Sequence, residues 1–203
     1  KTSLFMEKTV AIYPGRFQPF GPHHYEAYKK LRNQFGIEDT YIATSAKTDS
    51  GRSPFTFEEK KQIAMSYGIP EEKIIQVKSP YQPREILDLY QEDTPVIFMY
   101  GEKDAGRLQY TKKDGTQGYF KEYDPNLEEL EGWPDRGYVI IAPNISKNIP
   151  GVGEMSGTNI RQAIKSGIPI GDIFGDLDVR TLDMIQKKFQ PHDLNEGRYD
   201  TIS

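Results

Sequence analysis

The sequence predicts an α/β fold, a doubly wound parallel sheet of about five strands with an inserted hairpin and C-terminal helices. Three observations carry this. Short apolar, partly β-branched runs recur along the chain, each the length of a strand buried on both faces. Helical periodicities with start and stop signals lie between them. Strand and helix alternate strictly from Thr9 to Gly101, which implies right-handed crossovers and helices on both faces of the sheet.

The elements follow in order. Thr9-Val10-Ala11-Ile12-Tyr13 is a first strand that stops at Pro14-Gly15. Pro22 suits a first helical position, and Tyr25, Tyr28, Leu31 and Phe35 then recur at spacings of three and four before Gly36. Tyr41-Ile42-Ala43-Thr44 is a second strand, and 45–53 a polar loop. Thr56-Phe57-Glu58-Glu59 fits a capping box that opens a helix running to about Tyr67. Lys73-Ile74-Ile75-Gln76-Val77 is a third strand, 84–90 a short helix, and 95–100 a fourth strand ending at Gly101. The polar, aromatic-dotted stretch 105–136, with a turn at Lys113-Asp114-Gly115, reads as an inserted hairpin over the site. A fifth strand, 138–143, precedes a glycine-containing loop (144–156) and a helix over 157–165. The C-terminal segment 170–203 holds an amphipathic helix carrying Val179, Leu182, Ile185 and Phe189. One domain spanning 1–203 is expected, with its core at 8–165.

Composition narrows the function classes. No window approaches the roughly 20 apolar residues of a spanning helix, and the N-terminus has no apolar run of signal-peptide length, so a cytoplasmic protein with no membrane partner is expected. The absence of cysteine excludes disulfides, thiolate catalysis and Cys-based zinc sites, and fits a reducing compartment. With a net charge of −4 and basic residues scattered beside acids, no nucleic-acid partner is expected. The 13 Tyr and 10 Phe read first as packing residues rather than base-stacking platforms.

Two segments carry chemistry. Gly15-Arg16-Phe17-Gln18-Pro19-Phe20-Gly21-Pro22-His23-His24 joins the first strand to the first helix. A glycine turn that feeds a helix N-terminus presents free amides and the positive end of a dipole, which suits a triphosphate; a plain strand-to-helix turn has the same outline. The adjacent histidines point about 100° apart on a helix, so one of them is expected to act. Ser156-Gly157-Thr158-Asn159-Ile160-Arg161 is a second loop-to-helix entry, about 130 residues further on. There hydroxyls, orphan amides and the planar fork of Arg161 suit phosphate oxygens, although an ordinary capped helix would also account for the pattern.

These segments resemble the motifs of the HIGH-type nucleotidyltransferase superfamily, and the Gly15-Arg16-Phe17-Gln18-Pro19 form is similar to that of archaeal-type nicotinamide-nucleotide adenylyltransferases and phage-encoded relatives. The family's first motif runs G-R-F-Q-P-x-H-x-G-H. His24 falls on its second histidine, whereas Gly21 stands where the first is expected and His23 on the family glycine. Either His23 partly takes over from the absent histidine or the reaction needs only His24. Ser156, Thr158, Ile160 and Arg161 match the second motif, I-S-S-T-x-I-R, with Gly157 in place of a serine. Ser53-Pro54-Phe55-Thr56 is similar to a further N-P-F-T segment.

The resemblance implies a Rossmann-like domain in which an acceptor phosphate oxygen attacks the α-phosphorus of a nucleoside triphosphate and pyrophosphate leaves. It makes His24, His23 and Arg161 the catalytic candidates, and Gly15, Arg16, Phe17, Gln18, Pro19, Ser156, Gly157, Thr158, Gly101 and Asp104 the nucleotide-binding ones. Acceptor contacts are expected, by position, from Arg52, Tyr81, Arg84 and Arg107. Magnesium is expected as the cofactor, carried by the triphosphate, with no metal held by the protein itself. The favoured partners are ATP and nicotinamide mononucleotide, with another triphosphate and another phosphorylated acceptor left open. Cytidylyl transfer to a phosphorylated alcohol or sugar, and a non-catalytic nucleotide-binding module, stay open too, as does a homo-oligomer.

Overall fold

The computed structural model describes residues 8–190, so the part of the expected C-terminal segment beyond Gln190 lies outside the described residues. Six parallel strands form the main sheet: β1 (Val10–Pro14), β2 (Thr40–Thr44), β3 (Ile74–Gln76), β4 (Val96–Tyr100), β5 (Phe120–Glu122) and β6 (Gly137–Ile141). Their order is β3-β2-β1-β4-β6-β5. Helices α1 (Pro22–Phe35), α2 (Phe57–Ser66), α3 (Arg84–Leu87) and α4 (Glu102–Ala105) lie between strands, and α5 (Gly157–Lys165), α6 (Ile170–Phe174) and α7 (Val179–Lys188) follow. Among the described residues no helix is long and apolar enough to cross a membrane.

Strand geometry explains the apolar runs. Along β1, Ala11 and Tyr13 enter a cluster with Tyr28, Leu31, Ile63 and Ile160, while Val10 and Ile12 enter another with Ile86, Leu87 and Trp133. Alternate side chains serve opposite faces, and both faces are covered. The strand order turns back at β1, whose neighbours are β2 and β4. The crevice beyond the carboxyl ends of β1 and β4 is therefore the switch point where such sheets bind ligands.

Three expectations need correction. The sheet has six strands rather than about five, because the three-residue β5, too short to show a period, pairs with β6 from within the insert. That insert is a hairpin only where Thr111 bridges Gln117, around a turn with Gly115 at φ 86°; its next residues extend the edge of the sheet instead of covering the site. Among the described residues the C-terminal segment holds two helices, and Val179, placed in its apolar stripe, is 82% exposed. Val179 is the first residue after the Asp178 cap, two residues ahead of the buried Thr181 and six ahead of Ile185, off the face they share. The loop 144–156 also contains a short antiparallel ribbon, β7 (Asn148–Ile149) with β8 (Gly153–Glu154).

Candidate phosphate-binding site

The turn after β1 is folded back on itself. Phe17 has φ 48°, a left-handed conformation that costs a residue with a Cβ about 1–2 kcal/mol. Its ring offsets this by packing, 4% exposed, at centroid distances of 5.1 Å from Tyr13, 5.3 Å from Phe20 and 5.0 Å from His24. Gly15 is required beneath it, since a Cβ there would lie 2.7 Å from Cζ of Phe17.

Two cations grip the carbonyls on either side of Phe17. Lys60 Nζ donates to the Arg16 carbonyl at 3.1 Å, and Arg161 Nη1 donates to the Gln18 carbonyl at 2.7 Å. The Gln18 side chain is committed elsewhere: its Nε2 donates to the Phe55 carbonyl and its Oε1 accepts the Phe55 N–H, both at 2.8 Å. This pair of hydrogen bonds ties Ser53-Pro54-Phe55-Thr56 to the first turn and leaves Gln18 only its backbone for a ligand. Among the described residues, the N–H groups of Arg16, Phe17 and Gln18 meet no protein acceptor.

The N-terminus of α1 holds both histidines. His24 Nδ1 accepts the N–H of Gly21, the N-cap, at 2.9 Å. That bond assigns the imidazole proton to Nε2, which becomes a neutral donor. Burial, and then the neighbouring His23, hold His24 well below the usual histidine range; burial, and then Lys147, bring His23 down to about 4. The ring centroids lie 3.8 Å apart at an interplanar angle of 35°, so neighbours expected to diverge are in contact. His23 also fills the space that a side chain at position 21 would need: a Cβ on Gly21 would lie 2.8 Å from Cε1 and Nδ1 of His23 and 3.0 Å from Cδ1 of Ile160. A side chain at 21 is therefore incompatible with the His23 imidazole in its present position.

This exclusion gives a measurable coupling. Gly21→Ala is expected to destabilise the protein by about 1–3 kcal/mol through overpacking, and by under about 1 kcal/mol in a His23→Gly background. Denaturant titration of the four proteins closes the cycle. The histidines also set an acid limit. In the unfolded chain His23 titrates near 6.5, whereas in the native state it resists protonation down to about 4. The unfolded state thus binds more protons in between, and stability is expected to fall as pH drops through that window. His23→Gln should flatten this slope in denaturation measured across pH.

α5 brings the second segment to the same place. Ser156 Oγ caps the helix by accepting the Asn159 N–H at 3.1 Å, and Thr158 Oγ1 accepts from Arg161 Nη2 at 3.4 Å. A Cβ on Gly157 would lie 3.1 Å from Arg161 Nη1 and 3.3 Å from the Gln18 carbonyl, so the glycine makes room for the bond between them. Burial, and then Arg16 and Arg52, lower the Arg161 pKa from its ordinary value, yet a guanidinium stays charged at neutral pH.

Beside the turn lies a cavity of about 360 Å³ lined by Arg16, Gln18, Lys47, Asp49, Arg52 and Lys60, together with Ser45 and Ser53. Four basic side chains face one carboxylate, and Asp49 Oδ1 is already taken by the N–H groups of Gly51, Arg52 and Ser53. The positive charge is therefore available to an anion. Lys60 and Lys47 were not singled out by sequence. Lys60 shares the buried face of α2 with Ile63 and Ala64, and a lysine in register with an apolar stripe is the signal that marks it.

The other expected residues sit apart from this cavity. Pro19 follows Gln18 through a cis peptide bond. Gly101 caps α4 at the carboxyl end of β4, and Asp104 pairs with Arg107 at 3.6 Å. Tyr81, 41% exposed, stacks on Tyr100 at 5.9 Å, which leaves one aromatic face open beyond β4. Arg84 binds Asp88 and covers the Trp133 ring, so its charge is engaged. A larger groove of about 880 Å³ between α2 and α7 is lined by none of the motif residues.

No protein-family model and no curated protein matches the sequence. Solved structures do match the fold. Two crystal structures of a bifunctional NMN adenylyltransferase/ADP ribose pyrophosphatase from Francisella tularensis, one of them complexed with AMP and a manganese ion, superpose with TM-scores of 0.55 and 0.56 at 18% identity. The match covers 89% of this chain and 48–49% of those chains, so the chain spans about half their length. The likeness is one of fold: a six-stranded parallel Rossmann-like sheet with flanking helices.

Proposed function

We propose that the chain is a nucleotidyltransferase that moves a nucleoside monophosphate from a nucleoside triphosphate to a phosphorylated small molecule and releases pyrophosphate, with ATP and nicotinamide mononucleotide as the favoured pair. One observation carries this reading. The Arg161–Gln18 bond joins two loop-to-helix entries at the carboxyl end of β1, beside a cavity with four basic side chains. The adenylyltransferase activity of proteins with the same fold supports it.

In the proposed reaction a phosphate oxygen of the acceptor attacks the α-phosphorus, the bond to the bridging oxygen breaks in line, and pyrophosphate departs with the electron pair. Two anions must be aligned and the charge growing on the transferred phosphoryl stabilised, so preorganised donors supply most of the acceleration. Arg161, the Nε2–H of His24 and the free amides of Arg16 and Phe17 are the donors assigned here, with Arg52 and Tyr81 left for the acceptor. The histidines act as neutral hydrogen-bond donors, since burial keeps both uncharged at neutral pH. Among the described residues no three His, Asp or Glu side chains gather as a metal-holding group, and the cavity's charge repels a cation. We assign magnesium to the triphosphate, whose charge it screens.

The test is pyrophosphate release by the purified protein with magnesium and either ATP or CTP, against phosphorylated acceptors that include nicotinamide mononucleotide. Release with ATP and nicotinamide mononucleotide supports the favoured pair; release with another pair keeps the chemistry and changes the substrate. Because Gly21 stands where the resembling family has a histidine, a non-catalytic module is the second reading. Triphosphate binding without release from any acceptor would favour it.

A further inference from the structure

Among the described residues, Lys60 is a buried cation with no acidic partner. It lies in the first turns of α2, 3% exposed, and its ammonium donates to the Arg16 carbonyl at 3.1 Å, the Thr44 hydroxyl at 2.7 Å and the Ser45 carbonyl at 2.8 Å. An ammonium has three protons, and all three are used. The acceptors belong to the turn after β1 and to the junction of β2 with the loop that follows it, which also meet through a 3.4 Å bond from the Thr44 hydroxyl to the same Arg16 carbonyl and, further along, through Arg16 to Ser53 and Gln18 to Phe55. A neutral hydrocarbon would suit this depth better, because an unpaired buried charge is costly. A neutral side chain would, however, remove the link that joins the Arg16 carbonyl to the Ser45 carbonyl at the end of β2.

The consequence lies in the peptide plane. In a trans peptide the carbonyl of one residue and the N–H of the next point in opposite directions. Holding the Arg16 carbonyl toward Lys60 turns the Phe17 N–H away from it, in the left-handed stretch where no side chain supplies an acceptor. We infer that Lys60 is a positioning residue for phosphate: it clamps the Arg16 carbonyl so that the turn's amides are aimed in advance, and it places a positive charge in the wall of the cavity. The inference rests on reading that cavity as the site of the triphosphate.

The charge is conditional. Burial, and then the neighbouring Arg16, bring Lys60 down from 10.5 to about 8. The charged groups around it are Arg16 from the turn, and Lys47, Asp49 and Arg52 from the loop after β2. Arginine keeps its charge in this range, and the Asp49 carboxyl, held low by the N–H groups of Ser53 and Arg52, keeps its own. Above about pH 7.5 the phosphates of ATP are fully ionised. A loss of ATP affinity between there and about pH 9.5, centred near 8, therefore reports Lys60.

The experiment is calorimetric titration of the full chain with magnesium ATP across that range, on the wild type, Lys60→Met, Lys60→Arg and Thr44→Val, each checked for its fold by circular dichroism. Lys60→Met is expected to weaken binding about 10- to 100-fold below pH 8 and to abolish the pH dependence, as fits the loss of charge-assisted bonds. Lys60→Arg is expected to bind more weakly than wild type, because a planar fork does not reproduce three tetrahedral bonds, and its profile should be flat, since arginine does not titrate there. Thr44→Val keeps the charge and removes one acceptor, so its loss should be smaller and its midpoint shifted. If Lys60→Met does not fold, the wild-type profile and Thr44→Val still decide. A flat wild-type profile, or a folded Lys60→Met with wild-type affinity, overturns the inference while leaving the proposed function standing. A wild type that binds neither magnesium ATP nor magnesium CTP overturns both.

Discussion

Arg161→Ala is expected to lower turnover about 100- to 1000-fold, the usual cost of removing one preorganised donor from a transition state. The side chain does two things at once. Its Nη1 holds the Gln18 carbonyl at 2.7 Å, and so fastens α5 to the turn after β1; its charge stands with Arg16 and Arg52 beside the cavity. The loss should fall mainly on kcat, because the donor matters most when charge accumulates on the transferred phosphoryl. The fold should survive, since α5 is anchored by Ile160, Ala163 and Ile164, which point into the core. Steady-state pyrophosphate release, paired with circular dichroism, checks both halves; near wild-type turnover in a folded variant would remove Arg161 from the mechanism.

His24→Gln is the second large effect, expected at about 100-fold or more in turnover. A glutamine at this third helical position reaches back to the N-cap amide, as His24 does to Gly21 at 2.9 Å, so the cap is retained and the change in stability should stay within about 1–2 kcal/mol. The substitution removes the imidazole from among Tyr13, Phe17 and Phe20 and takes its Nε2–H with it. If turnover persists while His23→Gln abolishes it, the donor role passes to His23, whose ring occupies the space above Gly21.

Much of this was legible locally. The helix over 157–165 coincides with α5, and the capping box at Thr56 is formed as expected, Thr56 Oγ1 accepting from Glu59 N–H and Glu59 Oε1 from Thr56 N–H. Caps and periodicities are written in residues three and four apart, so single-sequence reasoning reaches them. The three-residue β5 escaped because its only strand signal is the pairing itself, with Gly137 opposite Phe120. Ser156 and Gln18 look alike as phosphate contacts in sequence. In the structure the hydroxyl of Ser156 caps α5 and the amide of Gln18 is spent on Phe55, because buried and near-buried polar groups must first satisfy their neighbours.

The sequence by itself determined the alternating α/β order, the doubly wound sheet it implies and the two loop-to-helix entries, because period, caps and turn residues act over a few positions. Tertiary structure alone decided that Arg161 meets Gln18 across 143 residues, that Lys60 meets Arg16 across 44, and that His23 takes the space over Gly21. Those outcomes depend on which loops the sheet order places side by side, and on burial, which leaves a histidine neutral and a lysine only conditionally charged.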